Sequence, residues 1–328
     1  MGESLFADGT EGHRLHAAGS LDNPVLGIDL GGTKTEAIVL SPADVVLDRW
    51  RIASPSGDYD ATIRLIRGLA ATAEDRFGPM GGIGIGIPGA LSPASGLVKN
   101  ANSTWLNGRA LKADLAAALG RTPAIANDAD CFVLSEAADG AGKGAQSVWG
   151  LILGTGVGSG IAIRGRLLSG PNAIAGEWGH NPLPWPKDEE RPGPACYCGK
   201  HGCIETFLSG PGFAADYRAH GGADSVPTSI AAAAADGDPI AAAALARYLD
   251  RLARATAAAI NILDPEVIVL GGGLSNIAAL YTGLPALWPR YVFSDRVATR
   301  LVPPLHGDAS GVRGAARLAR KYPEQSAP

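Results

Sequence analysis

Apolar positions along the chain follow two alternating rhythms. Short runs of Val, Ile and Leu end in glycine, and longer stretches repeat their apolar residues every three or four positions. Val25–Leu30 predicts a buried strand, Gly31-Gly32-Thr33-Lys34 a tight turn, and residues 35–40 a returning strand. Together they make a hairpin whose turn carries glycines free to take positive φ. Residues 45–53 predict a third strand. Asp58 is placed to cap a helix whose apolar face is Ile63, Ile66, Ala70, Ala73 and Phe77. Residues 81–88 then predict a glycine-rich strand carrying Ile83, Ile85 and Ile87, and Leu111, Leu115 and Leu119 mark a short helix. A brief strand at 124–126 ends at Asn127-Asp128, where a helix to Ala138 opens.

The pattern then starts again. Residues 148–153 predict a strand, 154–160 a glycine turn and 161–164 a returning strand. This weak internal repeat implies two similar α/β halves facing each other. An Ala-rich region follows, with Leu245, Leu249, Leu252, Thr256, Ala259 and Leu263 on one helix face. A buried strand at 267–270 runs into Gly271-Gly272-Gly273, and a further strand is expected at 297–302. The last helix, 311–320, has Gly311 and Gly314 one turn apart, which permits close packing. The tail from Tyr322 is expected to fray. The polar first 24 residues have no apolar signal core and read as a disordered extension.

Composition narrows the class. A chain of 328 residues is long enough for two domains with real cores. Hydrophobic residues make up 46% and charged residues 18%, with a formal net charge of -4, which argues against a protein that grips a nucleic-acid backbone. No apolar run is long enough to span a membrane, so the cytoplasm is the expected location. Three of the four cysteines cluster, which points to metal in a reducing compartment rather than to disulfides.

That cluster lies in residues 177–205, where Cys196, Cys198 and Cys203 follow His180. Three thiolates and an imidazole suit a closed, tetrahedral structural zinc site. Two carboxylates, Glu177 and Glu205, flank the ligands. Cys131 stands apart and reads as a small core residue.

Glycine turns expose backbone N–H groups that cradle phosphate oxygens. The first turn offers Gly31, Gly32, Thr33 and Lys34, with Asp29 at the strand end to hold a metal ion through water. The second offers Gly154, Thr155, Gly156, Gly158 and Ser159; the third, Gly271, Gly272 and Gly273, would let a flat ring lie close to backbone. None is a P-loop. In this order the turns resemble the two phosphate elements and the adenosine element of the sugar-kinase, actin and Hsp70 superfamily. Gly176-Glu177-Trp178-Gly179-His180 with the cysteine run further resembles the ROK family of bacterial sugar kinases and related repressors.

The resemblance implies a two-domain α/β fold of the actin-like, ribonuclease H-like ATPase type, with a cleft between a smaller domain at 25–126 and a larger one at 127–310. The helix at 311–321 is expected to return to the smaller domain. It implies ATP with Mg2+ as cosubstrate, structural Zn2+ and a homodimer. It places the general base at Asp128 and sugar contacts at Asn102, Asn127, Asp128, Glu177, His180 and Glu205, with Asn107 and Gly89 as further candidates. His180 is expected to serve twice, one nitrogen on zinc and one toward the sugar. Trp178 is expected in the core, Trp105 in the core or on the sugar, and loop 182–194 as a lid or a solvated excursion.

Residues 99–108 and 177–185 resemble the bacterial fructokinases that also accept mannose. The expected reaction is therefore transfer of the ATP γ-phosphate to O6 of D-fructose, with N-acetylglucosamine, glucose or mannose as alternative sugars. A sugar-responsive transcriptional regulator is a reading of another class; the roughly 28 residues before Asp29 are too few for a winged helix and linker. A sugar-binding pseudo-kinase is a third.

Overall fold

The computed structural model describes residues 22–321. The extension expected at 1–24 lies outside the described residues up to residue 21, and so does the tail from Tyr322.

The first half opens with β1 (Val25–Leu30), β2 (Lys34–Leu40) and β3 (Val46–Ala53). Then come α1 (Tyr59–Phe77), β4 (Gly82–Ile87), a small ribbon of β5 (Ala90–Leu91) and β6 (Val98–Lys99), α2 (Leu111–Leu119), β7 (Ala124–Asn127) and α3 (Asp128–Ala138). The second half opens with β8 (Ser147–Leu153), β9 (Val157–Ile163) and β10 (Arg166–Leu167). It continues through α4 (Ile204–Leu208), α5 (Gly210–Ala219), α6 (Pro227–Ala235), α7 (Pro239–Leu263), β11 (Val267–Gly271), α8 (Ala279–Leu287), β12 (Arg300–Val302) and α9 (Ser310–Lys321).

Two five-stranded sheets result, ordered β3-β2-β1-β4-β7 and β10-β9-β8-β11-β12. In each, three strands form an antiparallel meander, a fourth pairs in parallel with its first strand, and a fifth pairs in parallel with the fourth. The weak sequence repeat is therefore a repeat of topology, with β8 in the role of β1 and β11 in that of β4.

The side-chain alternation of β1 and β4 explains their composition. Leu26, Ile28 and Leu30 pack with Ile83, Ile85 and Ile87 beneath Ile66, Leu69, Leu111 and Leu115 of α1 and α2. The opposite face carries Gly27, Gly82 and Gly84, and there α9 lies almost on the backbone. A Cβ on Gly84 would overlap the Ala315 carbonyl, and one on Gly27 would overlap Val312 and Ala316. On its other side α9 meets α3, where Gly314 abuts the Cys131 carbonyl. The order across the molecule is thus first sheet, α9, α3, second sheet.

Asp58 does cap α1, accepting from the Ala61 N–H. Three expectations change. The second glycine turn is only Gly154-Thr155-Gly156, because β9 already begins at Val157. Gly158 and Gly160 thus sit within a strand and pack against Ala129 of α3. The strand expected at 297–302 is confined to Arg300–Val302. The deepest face of α7 is Ala241, Ala244, Tyr248, Leu252 and Ala255, while Leu245, Leu249 and Leu263 are only partly buried. Alanines on this face let the helix approach its neighbours closely around Tyr248 and Leu252. Among the described residues, no helix is long and apolar enough to cross a membrane.

Candidate active site

The carboxyl ends of β1, β7 and β11 converge on a cleft of about 480 Å³. Open sheets bind ligands at such strand ends. Asp29, Gly31, Gly32, Asn102 and Asp128 line one side, and Gly271, Gly272, Gly273, Ser275 and Asn276 line the other. Gly272 has φ +78, and a Cβ there would overlap Leu153 backbone, so glycine is required twice over. Gly273 is open on its side-chain face and also lines a second groove of about 500 Å³. Thr155, Pro211, Ala214, Val226, Pro227 and Leu274 make that groove mostly apolar, suited to a flat heteroaromatic ring.

Asp128 is the first residue of α3. The helix is capped instead by Asn127, whose Oδ1 accepts from the Ala129 N–H at 2.9 Å. The Asn127 Nδ2 donates to the Gly89 carbonyl at 3.0 Å. Both ends of that amide are thus bonded to protein, which gives Asn127 a holding role at the start of α3. Asn107 likewise braces its own loop, bonding both the N–H and the carbonyl of Ala101. Asn102 is exposed and faces the cleft. Trp105 packs on the first core, and Trp178 is buried in the second, edge-on to Trp149.

Acids crowd this cleft. Burial pushes the Asp29 carboxyl up to about 7, with Asp128 and Glu36 adding to the rise. Burial also raises Asp128, with Glu177 contributing. Asp130 stands in the field of Asp128 and Glu177 and is likewise pushed by burial to about 7. The sequence reading missed Asp130; the Asp-Ala-Asp spacing at a helix start was its only signal. Shifts of this size gather where function needs a poised acid or base.

The first turn is tight, with Gly31 N–H donating to the Lys34 carbonyl at 3.0 Å. Thr33 and Lys34 are exposed. Lys34 does not line the cleft; its Nζ lies 3.5 Å from Glu36, which also binds Arg49 and Arg51. The expected phosphate donor is therefore paired at the sheet surface. Gly158, as noted, lies within β9 rather than in the turn.

His180, Cys196, Cys198 and Cys203 bring their ligand atoms within 4.8 Å of one another. The Cys198 and Cys203 sulfurs are 3.6 Å apart, and the Cys196 sulfur is 3.5 Å from His180 Nδ1. Tetrahedral zinc with bonds of about 2.3 Å to sulfur needs edges of roughly 3.7 Å, so these residues fit that ion. The other ring nitrogen of His180 pairs with the Tyr197 hydroxyl at 2.9 Å. The sequence reading had passed over Tyr197, which is exposed.

Loop 182–194 is tied to α7 at Pro184, Trp185 and Glu190, while most of its residues are exposed, in keeping with the solvated excursion. Arg254 donates to the carbonyls of Pro184 and Trp185 at 3.0 and 2.8 Å. Glu190, buried, accepts from Arg251 and Arg254, each at 2.8 Å. Burial alone would raise the Glu190 carboxyl; the two guanidiniums outweigh it and bring it down to about 2.

Known proteins resemble this chain over most of its length. The ROK family profile matches residues 25–322. N-acetyl-D-glucosamine kinase of Vibrio cholerae is 39% identical over 296 residues, covering 89% of this chain and 98% of that protein. The Escherichia coli K12 protein of the same name is 40% identical over the same length. Among solved structures, a ROK hexokinase from Thermus thermophilus superposes with a TM-score of 0.79 at 29% identity, covering 90% of this chain and 97% of that one. A ROK glucokinase from Streptomyces griseus in complex with glucose and AMPPNP shares the fold, with a TM-score of 0.74 at 24% identity over 91% of this chain and all of that one. The chain belongs to the ROK family.

Proposed function

We propose that the protein transfers the γ-phosphoryl group of ATP to the O6 hydroxyl of a hexose. The observation that carries this reading is the position of Asp128, at the start of a rigid helix and in the same cleft as Asp29 and the first and third glycine turns. Asp128 takes the O6 proton as the bond from O6 to phosphorus forms and the bond from phosphorus to the bridging oxygen of ADP breaks. Its raised affinity for a proton suits a base. Asn127 fixes the start of the helix that carries that carboxylate.

Gly31 and Gly32, with Gly154, Thr155 and Gly156, would face the phosphates, and the apolar groove beside Gly273 would take the adenine. Asp29 would hold Mg2+, which neutralises charge on the phosphates. Asn102, Glu177 and Glu205 are the sugar contacts we propose. Zinc held by His180 and the three cysteines would fix the segments on which Glu177 and Glu205 stand.

For the sugar, the named relatives support N-acetylglucosamine. Fructose is the second reading, favoured by residues 99–108 and 177–185, which resemble fructokinases. A coupled ADP-release assay across N-acetylglucosamine, fructose, mannose and glucose decides between them. The preferred sugar is the one with a kcat/KM at least tenfold above the rest; no sugar-dependent ADP release would remove the kinase reading.

A further inference from the structure

Glu205 reaches across to the second glycine turn. It stands in the first turn of α4, two residues after Cys203, and its Oε2 accepts from the Val157 N–H at 2.9 Å. The same oxygen occupies the space a side chain on Gly156 would need, since a Cβ there would lie 2.7 Å from it. Gly156 does not have positive φ, so a larger residue there would have to displace the carboxylate rather than strain the backbone. The other end of the turn is held from the same region, by the Gly210 N–H on the Gly154 carbonyl at 2.7 Å. Glu205 Oε1 has no hydrogen-bond partner among the described residues.

We infer that Glu205 is a positioning residue for the nucleotide turn as well as a sugar contact, and so joins the two substrates through one carboxylate. The inference rests on the kinase reading above. Oε2 fixes the backbone at Val157 while Oε1 stays available to a sugar hydroxyl. A sugar that fixes this side chain also orders the turn, so each substrate tightens the other's binding, and the coupling is reciprocal.

The test is calorimetric titration of the full chain with Mg2+ and AMPPNP, with and without the preferred sugar, on wild type, Glu205→Gln, Glu205→Ala and Gly156→Ala. Without sugar, Glu205→Ala should bind AMPPNP about tenfold or more weakly, the scale of a hydrogen bond to a charged group. Glu205→Gln keeps an oxygen for the Val157 N–H and should recover most of that loss while still binding sugar poorly. Gly156→Ala should push the carboxylate off the turn and so weaken the binding of both AMPPNP and sugar. AMPPNP affinity in Glu205→Ala within about twofold of wild type, or an equal loss in Glu205→Gln, overturns the inference. If Glu205→Ala does not fold, unchanged AMPPNP affinity in Gly156→Ala overturns it instead. Wild type that binds no AMPPNP removes the kinase reading itself, and the inference with it.

Discussion

Asn127 donates to the carbonyl of Gly89 at 3.0 Å, tying the start of α3 to the loop that follows β4. The bond makes Asn127 a strut, and its neighbour Asp128 lines the cleft. Asp128→Asn retains an oxygen for the Ala129 N–H, which Asp128 now accepts at 2.8 Å. The variant should fold and bind sugar. Its kcat should fall by about 10²–10⁴-fold, the range of a lost general base. Steady-state kinetics check this, and kcat within threefold of wild type would remove Asp128 from the mechanism.

Asp29 and Asp130 should cost stability in return for function. An ordinary aspartate ionises near 3.8, and both are held near 7. Between those values the native state binds more protons than the unfolded one, so stability is full below about pH 4 and falls as pH rises through 7. Asp29→Asn and Asp130→Asn should therefore each stabilise the protein at pH 8, by about 1–3 kcal/mol, and lose that advantage near pH 4. Thermal melts at the two pH values, without nucleotide, read this out. Asp29→Asn should also abolish turnover.

Metal analysis of gently purified protein should find about one zinc per chain. Cys196→Ser should lose it. Loss of the ion frees the segments bearing Glu177, His180 and Glu205, so sugar binding should weaken more than nucleotide binding. Equal loss of both would mean that the ion only stabilises the second half of the molecule.

The loop at 182–194 depends on Arg254. Arg254→Met leaves Glu190 buried with one partner fewer and should destabilise the protein by about 3–5 kcal/mol in denaturant titrations. Glu190 sits near 2 against an ordinary 4.5, so its contribution is present above 4.5 and lost as pH falls toward 2. Glu190→Gln should flatten that part of the acid melting profile.

Lys34→Ala should change the ATP KM by less than about threefold, because its ammonium is exposed and paired with Glu36 rather than turned into the cleft. A rise of tenfold or more would return Lys34 to the phosphate site.

Local chemistry was legible along the chain. Strand periodicity, the Asp58 cap, the glycine turn at 31–32 and the ligand types at 180, 196, 198 and 203 follow from short-range rules, because propensity and ligand softness belong to single residues and near neighbours. Packing over long sequence distances was not legible. Gly160 and Gly84 look alike in sequence to Gly154 and Gly273, yet the first two are glycines because α3 and α9 press on them. Lys34 looked like a phosphate donor until β2 and β3 paired and brought Arg49 and Arg51 beside the same Glu36. Asp130 gained its significance only when Glu177, 47 positions along the chain, came into its field. A carboxylate's proton affinity and a glycine's purpose are set by what lies across the fold, and that partner is settled only when the two sheets close on α3 and α9.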